Sequence, residues 1–482
     1  MANKYLPTLE IDYLINFYKK IHDALIRILN TLENCLPQSI CKEILSLIDA
    51  GKIDEESICN PQDAKEIILE LLESNNKLLK MIKLLQQNDF RKFFGEVRNL
   101  IERIFANYGK TKGHIFGRAY GALINFEYQP EVLEEIRDHI IHSFNVYLLG
   151  LIINLYLFVV RSSPTIDLTF VFRNKNSRLN NNLEKIPLIL PLEFSWILAS
   201  ILHDIGYIYE KEYLLRKIFP HYYEFINISD PGILMPTLDD IFDYYGNVVL
   251  NNATIAYRLE IDESSRKNYI KVFKQRIRSS MYEALISRSN IHGAISAYIT
   301  IKSALWMNDF SMNYYWPLIY YEAIMASVFA QLYHSMINNN KLAYKTPLVP
   351  RELPNRKVVK TMSAYSYIPL LLIIIDEIID FGRPTLRKNK NGNHASNWHL
   401  DDIAIEENKI ILSIKNNAEN SEDFFTKIKD KLISIGVKCN KITLIGLPFL
   451  EKYIDNDLFY CIEIIIEKID RKTTKIAFSI NG

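Results

Sequence analysis

The segment that most constrains the fold is FNVYLLGLIINLYLFVV, residues 144–160, which is almost entirely apolar. Its length is close to the minimum with which a helix spans a bilayer, but Asn145 and Asn154 interrupt it. A helix that is apolar on all sides is otherwise found in the core of a large protein. We predict the buried core helix and no membrane contact, because histidines that need polar partners stand at its start.

Length and composition are compatible with an enzyme but indicate no particular binding partner. A chain of 482 residues is expected to form two or three units with a sizeable core. With 57 Lys+Arg against 56 Asp+Glu, no overall field attracts nucleic acid or acidic membranes. The five cysteines are scattered without CxxC spacing, which argues against disulfides and thiolate zinc sites. Without a recognisable signal segment, we expect a cytoplasmic protein.

The hydrophobic pattern predicts a mainly α fold. Apolar residues recur at three and four from about residue 8 to 108, and the helical pattern returns from about 131 to 382. A Gly/Asn/Lys-rich stretch follows, and then β-branched runs surround one helix-like piece. We predict four parts: an N-terminal helical region, a central helical domain, a linker and a small α+β domain, with boundaries at 1–110, 111–384, 385–399 and 400–482.

Several histidines and carboxylates stand in apolar helical surroundings. ILASILHDIGYIYE carries His203 and Asp204, and RDHIIHSFNVYLLG carries His139 and His142 on one helical face. A buried carboxylate such as Asp376 in YIPLLLIIIDEIIDFGRP is costly unless it is paired or binds a metal. Two further candidates, in NIHGAISAYIT and FAQLYHSM, are His292 and His334. Imidazole and carboxylate groups aimed inward from separate helices are typical divalent-metal ligands.

This order of residues resembles the HD-domain superfamily of metal-dependent phosphohydrolases over roughly residues 131–384. The resemblance implies a helical HD-domain core over residues 111–384. It implies a site for one or two divalent ions, whether Mn, Mg, Fe, Ni or Zn. Its ligands would be His142, with His139 in reserve, then His203 and Asp204, and finally Asp376, with Asp380 in reserve. His292 and His334 would bind a second ion, although a hydrogen-bonded core histidine is the alternative for His334.

The implied reaction is hydrolysis of a phosphoester or phosphoanhydride in a nucleotide-like substrate by metal-activated water. Asp204 would be a ligand and would also accept a hydrogen bond from that water. Cations outside the metal shell are expected to bind phosphate, and the basic stretch before and after the Asp376 helix offers Arg351, Arg356, Lys357 and Arg383. A second basic cluster, at residues 266–278, is either a phosphate contact or a solvated helical face.

Other functions remain open at this point. The basic stretches permit a nuclease on DNA or RNA, the scaffold permits a diiron oxygenase, and the outer regions permit a non-enzymatic signalling or defence effector. The absence of a GYP tripeptide disfavours the cyclic-di-GMP class of the superfamily. Tyr207 follows the doublet where many members carry Lys or His, so the substrate stays open. The expected partner is a phosphorylated small molecule or nucleotide, with nucleic acid and a homo-oligomer as further options.

Overall fold

The computed structural model describes a helical core and an antiparallel sheet. The described residues are 8–35, 76–107, 139–160, 165–167, 185–187, 189–207, most of 292–300 and of 323–334, 363–379, 398–416, 423–434, 441–445 and 461–481. All structural statements below concern these residues.

Two long amphipathic helices form the described N-terminal part, together with helical residues 76–86. Helix α1 spans Thr8–Cys35 and α2 spans Phe90–Asn107. One apolar face of α1, which includes Phe17, Tyr18 and Ile21, is buried, as the spacing of three and four predicts. Tyr18 donates a 2.7 Å hydrogen bond to Asn145, so α1 contacts the apolar helix at the centre.

That central helix, α3, spans His139–Leu155 and continues as a π-helical turn at Tyr156–Val160. Every residue of α3 is buried, since α1, α2 and two helices that follow it in the chain all contact it. In the described part of the chain, the segment His139–Phe158 is the one helix long and apolar enough to cross a membrane, and it lies wholly inside the structure. This burial agrees with the prediction of a core helix.

Helices α4, Ile189–Leu202, and α5, Ser363–Ile379, pack against α3. Close approach of α3 and α4 depends on Gly150, because a Cβ there would lie 2.0 Å from the Trp196 ring. Trp196 donates a 3.0 Å hydrogen bond to the carbonyl of Tyr147, which satisfies its buried indole nitrogen. A short two-stranded antiparallel sheet, formed by β1 at Thr165–Asp167 and β2 at Lys185–Pro187, lies in the chain between α3 and α4.

The C-terminal residues form a five-stranded antiparallel sheet in the order β3-β4-β7-β6-β5. Its elements are β3 (Trp398–Glu406), β4 (Lys409–Asn416), α6 (Phe424–Ser434), β5 (Lys441–Ile445), β6 (Cys461–Lys468) and β7 (Thr473–Asn481). Alternate residues such as Leu412, Ile476 and Ile464 are buried on one face. Exposed Lys475 and Glu467 are paired on the other face, the pattern of a sheet with one face in water.

The prediction of a mainly α fold is wrong. The five-stranded sheet is a major part of the described structure, and its apolar side shares one core with the helices. Helices α1 and α5 both contact β3, and Trp398 donates a 3.0 Å hydrogen bond to the carbonyl of Glu377 on α5. The long helical runs dominate the hydrophobic pattern, whereas each strand adds only a few alternating residues. β7 was not predicted, although Ile476, Phe478 and Ile480 alternate there.

Candidate metal centre

Five separate segments bring histidines and carboxylates together in the helical core. The start of α3 carries His139 and His142, the turn after α4 carries His203 and Asp204, and α5 carries Asp376 near its end. The helical segments 292–300 and 323–334 supply His292 and His334. All of these side chains are buried except His334, which is slightly exposed. Ionisable groups are this deeply buried only when they are paired or bind a metal.

The closest pair joins the two most distant parts of the chain. His142 Nε2 is hydrogen-bonded to Asp376 Oδ1 at 2.7 Å. It also lies 3.9 Å from Asp204 Oδ2. The imidazole of His142 on α3 therefore lies close to both carboxylates, and the acids on α5 and on the turn after α4 face the same small volume.

The orientation of His203 is fixed by its own helix. Its Nδ1 donates a 2.6 Å hydrogen bond to the carbonyl of Ser200. Its Nε2 makes no hydrogen bond among the described residues, but lies 3.3 Å from Asp204 Oδ1 and 3.6 Å from Asp376 Oδ1. A metal-binding histidine usually donates the N–H of its other ring nitrogen to a carboxylate, a backbone carbonyl or water, as Nδ1 of His203 does here.

His334 and His292 extend the group on one side. His334 lies 3.5 Å from Asp204 Oδ1 through Nε2 and 3.2 Å from Asp376 Oδ2 through Nδ1. The Nε2 atoms of His292 and His334 are 3.4 Å apart. Two facing ring N–H groups this close would repel each other, so at most one of the two Nε2 atoms carries a proton, and neither does if both bind a common metal ion.

The carboxylates determine the charge state of the metal-free group. Burial opposes charge on His203, but the carboxylates of Asp204 and Asp376 outweigh it and raise the pKa of His203 to about 10. Burial likewise opposes charge on His334, and the charge of Asp376 raises its pKa. Burial acts against ionisation of Asp376, yet His334 and His142 hold its pKa well below the ordinary value. Buried imidazolium protons therefore balance two carboxylates.

The donor set fits a divalent cation. Two triplets have ligand atoms within 4.8 Å of one another: His142, His203 and Asp376, and His203, Asp204 and His334. Ligands about 2.0–2.2 Å from an ion lie about 3–4 Å apart, close to these spacings. A divalent ion also supplies the positive charge that the buried protons carry otherwise. These buried His and Asp groups can hold a metal ion.

Two neighbouring residues restrict the shape of the centre. Tyr207 stacks on His292 with ring centroids 3.9 Å apart, and His139 lies on Tyr207 at 4.4 Å. His139 is thus adjacent to Tyr207 and outside the two triplets. A Cβ on Gly206 would lie 1.9 Å from the carbonyl oxygen of His292, so only glycine permits the turn after Asp204 to approach the His292 segment.

The structure brings together six of the predicted ligands: His142, His203, Asp204, His292, His334 and Asp376. The predicted phosphate-binding residues Arg351, Arg356, Lys357 and Arg383 lie outside the described residues, as do the reserve ligand Asp380 and the basic cluster at 266–278.

Sequence reasoning did not single out the buried polar residues that lie close to the ligands. Ser296 is four residues after His292, and Gln331 is three before His334, so both lie on the ligand-bearing faces of their helices. Their helical spacing was the available signal. Glu377 was also missed, although a second buried acid next to Asp376 requires its own cations. Lys427 Nζ lies 2.7 Å from its carboxylate, and Lys431 forms a second ion pair with it.

Comparison with family models, curated proteins and solved structures finds no match to this chain. The resemblance to the HD-domain superfamily therefore rests on the ligand order along the chain.

Proposed function

We propose that this chain is an HD-type metal-dependent phosphohydrolase that cleaves a phosphoester or phosphoanhydride of a nucleotide-like substrate. One observation carries the proposal. The His203-Asp204 doublet lies beside His142 and Asp376 in a buried group, although 234 residues separate His142 from Asp376 in the sequence. A purely structural role for each core histidine would not require that they all lie around the same two buried acids.

A divalent ion bound here would supply Lewis acidity and a water whose pKa is lowered to about 7. His142, His203 and Asp376 are the ligands we assign first, because each presents an atom to the shared volume. Asp204 is assigned a double role, as ligand and as acceptor of a hydrogen bond from the attacking water. Its second oxygen faces His142, so its two oxygens serve different neighbours.

The number of ions is a finer part of the proposal. His203 belongs to both triplets, but its Nε2 has a single lone pair and can bind only one ion. A second ion would depend on Asp204, His334 and His292, with a carboxylate shared between the ions. We propose Mn, Mg, Fe, Ni or Zn as candidates, and the nitrogen-rich donor set favours the transition metals in this group over Mg.

The substrate class is proposed from the resemblance and from the basic residues near the Asp376 helix in the sequence. Phosphate oxygens need cations beyond the metal, which Arg351, Arg356, Lys357 and Arg383 would supply. Elemental analysis of purified protein, followed by phosphate-release and oligonucleotide-cleavage assays with each metal, tests the proposal. The panel contains nucleoside mono- and triphosphates, cyclic nucleotides and single-stranded DNA and RNA.

The test variant is Asp204→Asn, which keeps the shape and removes the charge. Its matched control is Asp12→Asn, the same change at an exposed position on α1. We expect metal and activity in the wild type and the control, and loss of both in Asp204→Asn. Equal activity in all three, or a wild type without metal, contradicts the hydrolase. Iron with oxygen consumption and no phosphate release would select an oxygenase instead.

A further inference from the structure

A buried polar chain connects three of the ligand-bearing segments. We propose that Ser296, Thr300 and Gln331 are positioning residues that set the distance between the His203-Asp204 turn and the two histidines His292 and His334. This inference rests on the metal centre of the proposed function and adds the residues that hold its two sides in register. None of the three side chains is itself a ligand.

Ser296 clamps the turn that carries the doublet. Its hydroxyl donates a 2.7 Å hydrogen bond to the carbonyl of His203 and accepts a 2.9 Å hydrogen bond from the amide of Gly206. These two backbone groups flank Asp204 and follow the last turn of α4, where helix carbonyls lack partners. One side chain therefore fixes both ends of the turn from the His292 segment.

Thr300 and Gln331 extend the chain to the third segment. The Thr300 hydroxyl lies 3.0 Å from the carbonyl of Ser296 and 3.1 Å from Gln331 Oε1. Gln331 Nε2 donates a 2.9 Å hydrogen bond to the carbonyl of Leu198, so this series of hydrogen bonds ends on α4. All three side chains are completely buried, so water does not replace a lost partner without rearrangement.

The location of these hydrogen bonds indicates a role in the metal centre and not only in the stability of the fold. Ser296 is one helical turn from His292, Gln331 is one turn from His334, and Leu198 is on the helix that ends at the doublet. The hydrogen bonds cross between the same segments that supply Asp204, His334 and His292. A shift between those segments would separate His334 from Asp204, which are 3.5 Å apart.

The test is titration of metal-free protein with Co²⁺, which reports both affinity and, through its visible absorption, ligand geometry. Ser296→Ala removes both hydrogen bonds of this hydroxyl to the turn. Ser327→Ala is the matched control, because Ser327 is equally buried and, among the described residues, its hydroxyl donates to the carbonyl of Ile324 in its own helix. Outer residues that orient ligands typically change metal affinity 10–100-fold. We expect Ser296→Ala to weaken Co²⁺ binding by about 10-fold and alter its spectrum, while Ser327→Ala matches the wild type.

A second pair of variants covers failure of Ser296→Ala to fold. Thr300→Val keeps the shape without the hydroxyl, and Thr300→Ser keeps the hydroxyl with less buried carbon. We expect Co²⁺ binding to weaken in Thr300→Val and to persist in Thr300→Ser. Wild-type binding and spectra in Ser296→Ala and Thr300→Val, or equal losses in both members of each pair, would overturn the positioning role. His203→Ala separates the two proposals: if the wild type binds no more Co²⁺ than this variant, the metal centre itself fails.

Discussion

Removing the carboxylate of the Glu377 ion pairs and removing their lysines are expected to lower the free energy of unfolding by different amounts. The side chain of Glu377 is only 2% exposed, whereas Lys427 and Lys431 are 30% and 20% exposed. Replacing both lysines with Met leaves a carboxylate buried without cations, which costs about 3–5 kcal/mol. Glu377→Gln leaves two ammonium groups that can turn towards water, so we expect a loss of about 1–3 kcal/mol.

Denaturant unfolding followed by far-UV circular dichroism measures these differences as shifts of the transition midpoint. The triple variant Glu377→Met, Lys427→Met, Lys431→Met completes the cycle. Because it leaves no unpaired charge at these three positions, it should regain most of the stability that the double lysine variant loses. The reasoning is refuted if the double lysine variant is no less stable than Glu377→Gln, or if the triple variant is the least stable of all.

Three further predictions concern the centre and the helices around it. Gly206→Ala should lower metal affinity and stability together, because its Cβ would lie 1.9 Å from the His292 carbonyl oxygen. Metal titration and thermal unfolding measure both, with Gly95→Ala as the control, since a Cβ there meets no atom of the described residues within 4 Å. Gly150→Ala should destabilise the protein by about 1–3 kcal/mol through overpacking against Trp196, and unchanged denaturant midpoints would contradict this. Metal affinity should rise with pH towards about 10, since the raised pKa of His203 means that metal must displace its proton; calorimetry in buffers of different ionisation enthalpy should detect proton release at pH 7.

The sign of the pH effect differs for the metal-free protein. The pKa of His203 is raised from 6.5 to about 10 on folding, so its protonation stabilises the fold below pH 6.5 and this contribution disappears as pH approaches 10. Asp376 acts in the opposite sense, because its lowered pKa contributes stability that is lost on acidification. Metal-free protein is therefore expected to lose stability in alkali while its capacity to bind metal increases.

Sequence patterns were most informative for residues whose surroundings allow few roles, such as an acid in an apolar helix. An acid in LLLIIIDEII needs a partner wherever the helix packs, and Asp376 lies beside His142, His203 and His334. The ligand order could be proposed from such residues. Distances could not, because they depend on how five segments pack across long stretches of chain.

The supporting residues and the sheet were harder to predict for a different reason. Serine, threonine and glutamine occur in most helices. The spacing of Ser296 and Gln331 from His292 and His334 places them on the ligand-bearing faces, but it does not show which groups on other segments they bond. The extent of the sheet was underestimated because each strand contributes only a few apolar residues in alternation. A strand such as β7 becomes evident mainly from the strands with which it pairs. Contacts with residues distant in the sequence determine both the burial of these side chains and the formation of the strands.

The burial of α3 on all sides has a consequence for synthesis of the chain. His142 precedes its partner Asp376 by 234 residues, which is about 12–47 s of translation at typical rates of elongation. During that interval α3 has no α5 to cover it, and its composition is that of a membrane span. We expect chaperones and the membrane-targeting machinery to compete for a nascent chain in this state, so the yield of native protein should depend on how rapidly the ribosome reaches α5.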